Sequence, residues 1–253
     1  MALRSLLRSP LRSPRSSPNL GWEWSPFDLG TSLLAWWDAS YGVSLATASV
    51  TAWADRKNGY SAAQGTSGSR PTYSATSYNG RPGITFDGTD DELTVASQPF
   101  PSSANASEVW FVASQSALAA DTTTRQLFGY GGTSNATRRA VLRRVVTGTN
   151  RFGADTGDNS VAVATNDTTV DFSGRHFGRA LFGATTTYAA LNGGTLASSS
   201  AVPVTGTTRA RIGASTANTA ANFWSGVISH IIVTSALSTA DAALMTAFLS
   251  DRR

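Results

Sequence analysis

Short apolar runs alternate with clusters of small and polar residues over most of the chain. The strongest run is Val109–Ala113, which is continuous, contains Trp110 and Phe111, and is typical of a buried central strand. Gly, Asn, Asp, Ser and Thr separate the runs, as they do in tight turns. This pattern predicts an all-β sandwich or barrel, with candidate strands near 33–37, 50–53, 83–86, 93–95, 109–113, 125–130, 140–146, 161–164, 177–182, 187–191, 210–213 and 227–234.

The pattern changes to that of a helix near the C-terminus. Ser238 is a candidate N-cap, and Asp241 follows three residues later, as in a capping box. Leu244 and Phe248 then recur at the i, i+4 spacing of an amphipathic helix. We expect this helix to lie against two stacked antiparallel sheets. Residues expected between the sheets are Phe86, Trp110, Phe111, Ile231 and Val233, with Val227 on the same face as Ile231 and Val233.

The first 20 residues differ from the rest, since they form a degenerate repeat around L-R-S-P. Proline at this spacing prevents a continuous helix or a central strand, so we expect an extended arm. An aromatic clip, with Trp24 and Phe27, joins this arm to the body. We therefore divide the chain into the arm and clip, residues 1–31, and one sandwich domain, residues 32–253. The arm residues expected to dock on other subunits are Leu3, Arg4, Leu7, Arg8, Leu11, Arg12 and Arg15.

The composition narrows the function classes. The net charge of +4 comes from the four arginines of the arm, because without them 16 basic residues face 16 acidic ones. A neutral body argues against a nucleic-acid-binding domain. The chain has no Cys, and its two His residues are far apart, so a Cys nucleophile and a multi-His metal site are not expected. We expect neither a membrane span nor a signal peptide.

Three stretches carry a family resemblance. They are L-L-A-W-W-D-A-S (33–40) with V-T-A-W-A-D-R (50–56), N-G-R-P-G-I-T-F-D-G-T-D-D-E-L (79–93), and R-I-G-A (211–214) with F-W-S-G-V-I-S-H-I-I-V (223–233). In this order they resemble laminin-G-like domains of the concanavalin A-like lectin/glucanase superfamily, of the kind found in bacterial and phage proteins. The resemblance implies a jelly-roll β-sandwich over about residues 32–253, although residues 96–185 match only as a pattern of strands.

The resemblance also implies binding sites. Many laminin-G-like domains bind calcium through Asp side chains, and the candidates here are Asp87, Asp90, Asp91, Asp155 and Asp158. Asp is also a common turn residue, which is the alternative interpretation. Trp36, Trp37 and Trp53 could stack on sugar rings or could belong to the core. Arg138, Arg139, Arg143 and Arg144 could meet an acidic polysaccharide or mark a solvated strand end.

The acidic residues indicate whether the chain could be a glycosidase. Hydrolytic members of the superfamily carry Glu-x-Asp-x-x-Glu on one strand, and retaining glycosidases need a close carboxylate pair. The glutamates of this chain, Glu23, Glu92 and Glu108, lie in no such pattern. His230 sits mid-strand, where we expect a partly exposed structural residue. We therefore expect no enzymatic activity, no hydrolysis of β-glucans, and no cofactor other than calcium.

A lectin-like sandwich without Cys, signal or anchor leads to a specific hypothesis. We expect a non-enzymatic virion structural protein of a phage-like particle, either a head decoration, a fibre or a tail component. It would be made in the bacterial cytoplasm, join an oligomer through its arm, and display the sandwich outward, with a host glycan as a candidate ligand. The alternative is an extracellular bacterial carbohydrate-binding module. A glycoside hydrolase and a nucleic-acid binder using the Arg arm are weaker alternatives.

Overall fold

The structure is a computed structural model that describes residues 24–96, 100, 106–115, 123–132, 138–146, 149–156, 162–164, 174–200 and 209–253. These residues form a 3-10 helix at Pro26–Ser32, a second at Ser67–Ser69, seventeen strands and one α-helix. The strands are β1 Leu33–Asp38, β2 Val43–Ala46, β3 Ser49–Ala54, β4 Ser61–Ala63, β5 Thr72–Tyr78, β6 Arg81–Asp87, β7 Leu93–Val95, β8 Ser107–Ala113, β9 Arg125–Gly131, β10 Arg138–Val146, β11 Thr149–Thr156, β12 Ala162–Ala164, β13 His176–Phe182, β14 Thr186–Leu191, β15 Ala197–Ser200, β16 Arg209–Ile212 and β17 Ser225–Ser235. The helix is α1 Thr239–Ser250.

The strands form two antiparallel layers. In the first layer the order is β15-β14-β13-β8-β17. Both β1 and β6 pair with the edge of β17 that faces away from β8, and β5 pairs with β6. In the second layer the order is β2-β3-β4-β7-β16-β9-β10-β11-β12. A single pair, Ser49 with Thr72, links the layers at one edge. The predicted all-β sandwich with a short C-terminal helix is confirmed.

Two hydrophobic clusters stabilise this arrangement. The larger one lies between the sheets and contains Trp37, Trp53, Phe111 and Phe128. The smaller one lies between the first sheet and α1 and contains Trp36, Trp110, Ile232, Met245 and Phe248. Because successive side chains of a strand point to opposite faces, Phe111 faces the first cluster and Trp110 the second. The expectation that Trp110 lies between the sheets is therefore wrong, although its side chain is buried.

A bulge in β17 changes the face on which its residues lie. The pairing with β8 shifts register between Ile228 and His230. Ile228 and Ile231 consequently both face the core between the sheets, although they are three residues apart. Val227 packs with the cluster beneath α1 instead, so its expected place beside Ile231 is wrong.

Helix α1 begins where the sequence predicts. The Ser238 hydroxyl accepts a hydrogen bond from the Asp241 backbone N–H at 3.1 Å and donates to its carboxylate at 2.8 Å. The buried face of the helix packs on the outside of the first sheet. Among the described residues, no helix is long and apolar enough to cross a membrane.

The N-terminal predictions are only partly covered by the structure. Trp24 of the clip contacts Phe248 with ring centroids 5.7 Å apart, so the end of the clip packs on the sandwich. The arm residues named above lie outside the described residues. The division at residue 31 and the docking of the arm stay predictions.

Candidate functional site: an aromatic–arginine face

The candidate site lies where β1 ends and β6 begins, side by side along one edge of β17. Asp38, the last residue of β1, pairs with His230 of β17. Strand β6 pairs with β17 from Ser225 to Ile228, so Arg81 at its start comes close to the same junction. Three segments that are far apart in sequence therefore meet at this point.

Two buried tryptophans hold the junction together. The Trp37 indole Nε1–H donates to the Trp53 carbonyl at 3.1 Å, and the Trp53 Nε1–H donates to the Asp38 carbonyl at 3.0 Å. Both rings are buried in the core between the sheets. Their polar edges thus fix the backbone of β1 against β3 from opposite layers.

A turn after β3 then directs Arg56 back toward β1. The buried Asp55 carboxylate accepts hydrogen bonds from the backbone N–H groups of Lys57 (2.8 Å), Asn58 (3.0 Å) and Tyr60 (2.6 Å). The Arg56 backbone N–H donates to the Trp36 carbonyl at 2.7 Å. The A-D-R sequence therefore works as a turn that positions an arginine.

The Arg56 guanidinium lies among three aromatic rings. It is 4.4 Å from the Trp36 ring centroid, 5.1 Å from that of Tyr41 and 5.8 Å from that of Phe27. Trp36 is buried beneath it, whereas Tyr41 is 50% exposed and Phe27 is 44% exposed. We call the surface of Phe27, Tyr41 and Arg56 the aromatic–arginine face.

Asp38 anchors this face from below. Its carboxylate accepts hydrogen bonds from Arg56 Nη1 at 2.6 Å and from the Ser40 backbone N–H and hydroxyl at 2.8 and 2.6 Å. Burial favours a higher pKa for Asp38, but His230 and the hydrogen bonds from Ser40 and Arg56 together outweigh it, and the pKa is lowered. Asp38 is therefore a carboxylate at neutral pH.

His230 lies beside Asp38 and is buried, so the expectation of partial exposure is wrong. Its Nδ1 is 3.7 Å from Asp38 Oδ1, which is beyond hydrogen-bonding distance. Burial lowers the pKa of His230 to about 4; Asp38 opposes this shift, and Arg252, Arg81 and Arg56 add to it. The imidazole is thus neutral at neutral pH because it is desolvated near several arginines.

The predicted sugar-stacking tryptophans do not form the exposed part of the site. Trp36, Trp37 and Trp53 are all buried, so none offers a free ring face to solvent. Their places are decided by the two hydrophobic clusters and by the indole hydrogen bonds. Of the exposed rings, Phe27 was named in the sequence only as part of the clip, and Tyr41 was not singled out; its one signal was its position just after the W-W-D motif.

The first group of predicted calcium ligands does come together. Carboxylate oxygens of Asp87, Asp90 and Asp91 lie within 4.8 Å of one another in the turn after β6. Asp87 Oδ1 accepts hydrogen bonds from the backbone N–H groups of Thr89 (2.8 Å) and Asp90 (3.2 Å), and Asp91 Oδ2 accepts one from the Asp87 N–H (2.9 Å). The carboxylates therefore also build the turn, in agreement with the alternative interpretation.

The pKa values of this group diverge. Burial raises the pKa of Asp91 to about 6, and the charges of Asp87 and Asp90 raise it further against the hydrogen bond from Asp87. Asp87 is exposed, and its hydrogen bonds from Thr89, Asp90 and Asp91 outweigh the effect of its burial and lower its pKa. Oxygen donors of this kind suit a hard cation such as Ca²⁺.

Other predicted residues lie elsewhere. Asp155 is buried in β11, in the other layer from β6, and Asp158 lies outside the described residues. Glu108 is buried and accepts two hydrogen bonds from Arg179, at 2.9 and 3.0 Å, while Glu92 pairs with Arg211 at 2.6 Å. Both glutamates are thus bound by arginines.

The arginine cluster on β10 has one member whose side chain the structure describes. Arg139 is buried, contrary to the hypothesis of a solvated strand end. Its Nη1 donates to the Ser107 hydroxyl at 2.7 Å, and its guanidinium lies 5.9 Å from the Phe182 ring centroid. Arg139 is therefore an interior residue and not a surface contact for a polysaccharide.

A cavity of about 430 Å³ lies apart from the aromatic–arginine face, between α1 and the turn that follows β14. Small residues form much of its wall, among them Ala190, Gly193 and Ala242. Arg179 also lines this cavity, and its guanidinium is already bound by Glu108. The hydroxyl of Thr246, another lining residue, donates to the Ala242 carbonyl. The buried indole N–H of Trp110, which also lines the cavity, has no hydrogen-bond partner among the described residues. The aromatic–arginine face is the better candidate for ligand binding because it combines exposed aromatic rings with a partly exposed guanidinium.

Comparisons with sequence-family profiles and with curated proteins give no match. Several solved structures do resemble the chain. An arabinofuranosidase in complex with arabinofuranosyl-α-1,2-xylobiose matches with a TM-score of 0.60 and 12% identity over 81% of this chain and 51% of the other. A GH54 α-L-arabinofuranosidase with a cyclic sulfate inhibitor matches with a TM-score of 0.56 and 14% identity over the same shares. The chain thus spans about half the length of these enzymes.

A third structure matches over almost its whole length. It is domain 4 of a GH43 extracellular arabinanase from Geobacillus stearothermophilus, in complex with arabinotriose. The TM-score is 0.56 and the identity 11%, over 85% of this chain and 98% of that domain. At this identity the matches establish the fold, which is that of β-sandwich domains in carbohydrate-active proteins.

These matches correct two expectations. The sequence led us to expect a virion structural protein without enzymatic activity, but the similar structures are glycoside hydrolases and a domain of one. These structures belong to carbohydrate-active proteins and not to virions, so the virion hypothesis is contradicted. The expectation of no enzymatic activity is contradicted by the same finding.

Proposed function

We propose that this chain is a carbohydrate-active domain that binds an oligosaccharide at the aromatic–arginine face. The observation that carries the proposal is the pair of exposed rings, Tyr41 and Phe27, whose centroids lie 5.1 and 5.8 Å from the Arg56 guanidinium. Aromatic rings offer an apolar surface to the C–H face of a sugar, and the guanidinium offers several N–H donors to its hydroxyls. Because Asp38 and Trp36 hold Arg56 in place, little side-chain entropy is lost on binding.

The fold supports this proposal. The resemblance to concanavalin A-like lectins and the similarity to a domain in complex with arabinotriose both favour short oligosaccharides as ligands. Arabino-oligosaccharides and arabinose-substituted xylo-oligosaccharides are therefore the first ligands to test.

Isothermal titration calorimetry on the full chain tests the proposal. We expect Tyr41→Ala to weaken binding of arabinotriose by about tenfold, since each stacked ring contributes on the order of 1 kcal/mol or more. Leu196→Ala is the matched control, because Leu196 is exposed in a similar way but lies beside the separate cavity. If Leu196→Ala loses binding and Tyr41→Ala does not, the oligosaccharide binds at the cavity and not at the aromatic–arginine face.

A second candidate function, hydrolysis of a glycosidic bond, is favoured by Asp87 and Asp91. Two close carboxyl groups whose pKa values move in opposite directions are the arrangement that glycosidases use for a nucleophile and an acid. Release of reducing ends from arabinoxylan should then disappear in both Asp87→Asn and Asp91→Asn and persist in Asp90→Asn. Turnover that survives both substitutions would exclude this carboxyl pair.

A further inference from the structure

The charges around the aromatic–arginine face have one predominant sign. Arg56, Arg81 and Arg252 all act on the buried His230, and each lowers its tendency to take a proton. Lys57 lies next to Arg56 in sequence, and its Nζ donates to the Gly30 carbonyl at 2.7 Å. Three arginines thus lie near one junction of the sheet, and Lys57 adjoins one of them.

The acidic residues nearby differ in burial. Asp38 and Asp55 are buried, and their carboxylates are already bound, the first by Arg56 and Ser40 and the second by backbone N–H groups of its own turn. Asp28 accepts a hydrogen bond from the Ser25 backbone N–H at 2.8 Å, and Asp251 is exposed 3.8 Å from Arg252. Among the described residues, the carboxylates on the solvent side of the face are therefore fewer than the cationic side chains.

Arg56 keeps donors available for a ligand. It uses Nη1 for Asp38, and the side chain remains 30% exposed. Within the described part of the chain, Nη2 and Nε of Arg56 donate to no other group. Arg252 is held over the Phe248 ring at 3.6 Å, and Phe248 in turn packs edge to face with Trp36 at a centroid distance of 5.7 Å, so both arginines contact one aromatic cluster.

We propose that the aromatic–arginine face recognises an acidic sugar, a hexuronic acid unit whose carboxylate is bound by Arg56 together with Arg81. The sugar ring would lie on Tyr41, and its carboxylate would accept hydrogen bonds from the Arg56 N–H groups that have no partner among the described residues. This inference rests on the proposed function, since it names the sugar that the same face would bind. A guanidinium with a preformed position is suited to a planar carboxylate, because little reorganisation is needed.

A matched pair of ligands tests it, namely trigalacturonic acid and its trimethyl ester, which differ in charge and not in the sugar chain. Titration of the full chain at low salt should give about tenfold tighter binding of the acid, as expected for a charge-assisted hydrogen bond. The preference should fall in Arg81→Gln and should decrease with added salt. Arg209→Gln, in the other sheet, removes the same charge and should keep the preference.

Each outcome decides one question. Equal binding of acid and ester would overturn the acidic-sugar inference and leave the proposed function intact. A preference that Arg81→Gln retains at wild-type size would also overturn it. If neither the acid nor the ester binds, the acidic-sugar inference is overturned. The proposed function is overturned as well only if the neutral arabino- and xylo-oligosaccharides also fail to bind.

Discussion

The Trp53 indole donates its Nε1–H to the backbone carbonyl of Asp38 at 3.0 Å and so joins the two sheets of the sandwich at the edge of the candidate site. A residue of the core is thereby connected to the residue that holds Arg56. The position of the aromatic–arginine face consequently depends on packing between the layers.

Trp53→Phe should destabilise the protein. The substitution removes the hydrogen bond to Asp38 and leaves a cavity beside Trp37, and we expect a loss of about 2–4 kcal/mol in the free energy of unfolding. Urea denaturation measures it. Trp24→Phe, on a partly exposed ring packed against Phe248, is the control and should cost less than about 1 kcal/mol. Equal losses in the two variants would contradict the role given to Trp53.

His230 should make the protein sensitive to acid. Its pKa in the folded chain, about 4, is below the ordinary value of 6.5, so the unfolded chain binds the proton more readily between these values. The contribution of His230 to the free energy of unfolding should therefore be constant above pH 6.5 and decrease by about 3 kcal/mol as the pH falls to 4. Denaturation at several pH values tests this. His230→Gln should flatten the curve, and His176→Gln should not.

Asp91 should show the opposite dependence. Its folded pKa of about 6 lies above the usual 3.8, so its contribution to stability is present at low pH and is lost as the pH rises through 6. Asp91→Asn should then stabilise the protein at pH 7.5 by about 1 kcal/mol, a value reduced because the turn lies close to water. At pH 4 the two proteins should be alike. Asp90→Asn is the control, and a destabilised Asp91→Asn at pH 7.5 would contradict the argument.

Calcium should relieve the electrostatic repulsion among the three carboxylates of the turn after β6. A bound Ca²⁺ would balance the charges of Asp87, Asp90 and Asp91, so millimolar Ca²⁺ should raise the melting temperature at pH 7.5 and have little effect at pH 4. Asp87→Asn should abolish the shift. An unchanged melting temperature at pH 7.5 would exclude a calcium site in this turn.

Local sequence was sufficient for the elements whose signals are local. The run Val109–Ala113 became β8, and the helix begins at its predicted cap, because apolar burial and capping depend on residues close in sequence. Strands β2, β4, β5, β11 and β15 were not predicted. Strands β2, β4 and β15 are short, and their exposed residues show no apolar alternation, so pairing with neighbouring strands determines them.

The candidate site was less predictable than the fold. The W-W-D and A-D-R motifs lie at the proposed site, but the tryptophans proved to be interior, and the groups of the face that reach solvent are Phe27, Tyr41 and Arg56. Both a core role and a surface role suit Trp, so the residue type does not decide between them.

By itself, the residue pattern determined that the chain folds as short strands joined by turns with one closing helix, since turns, caps and apolar runs act over a few residues. The pattern left a sandwich and a barrel open, and the sandwich was what the family resemblance implied. Only the tertiary structure decided which face each residue occupies and which residues meet. The bulge in β17 reverses the alternation between Ile228 and His230, and the pairing of both β1 and β6 with one edge of β17 brings Arg81 near His230, the strand partner of Asp38. Register between distant strands is set by the packing of the whole sheet, and a shift of one residue moves every side chain to the other face.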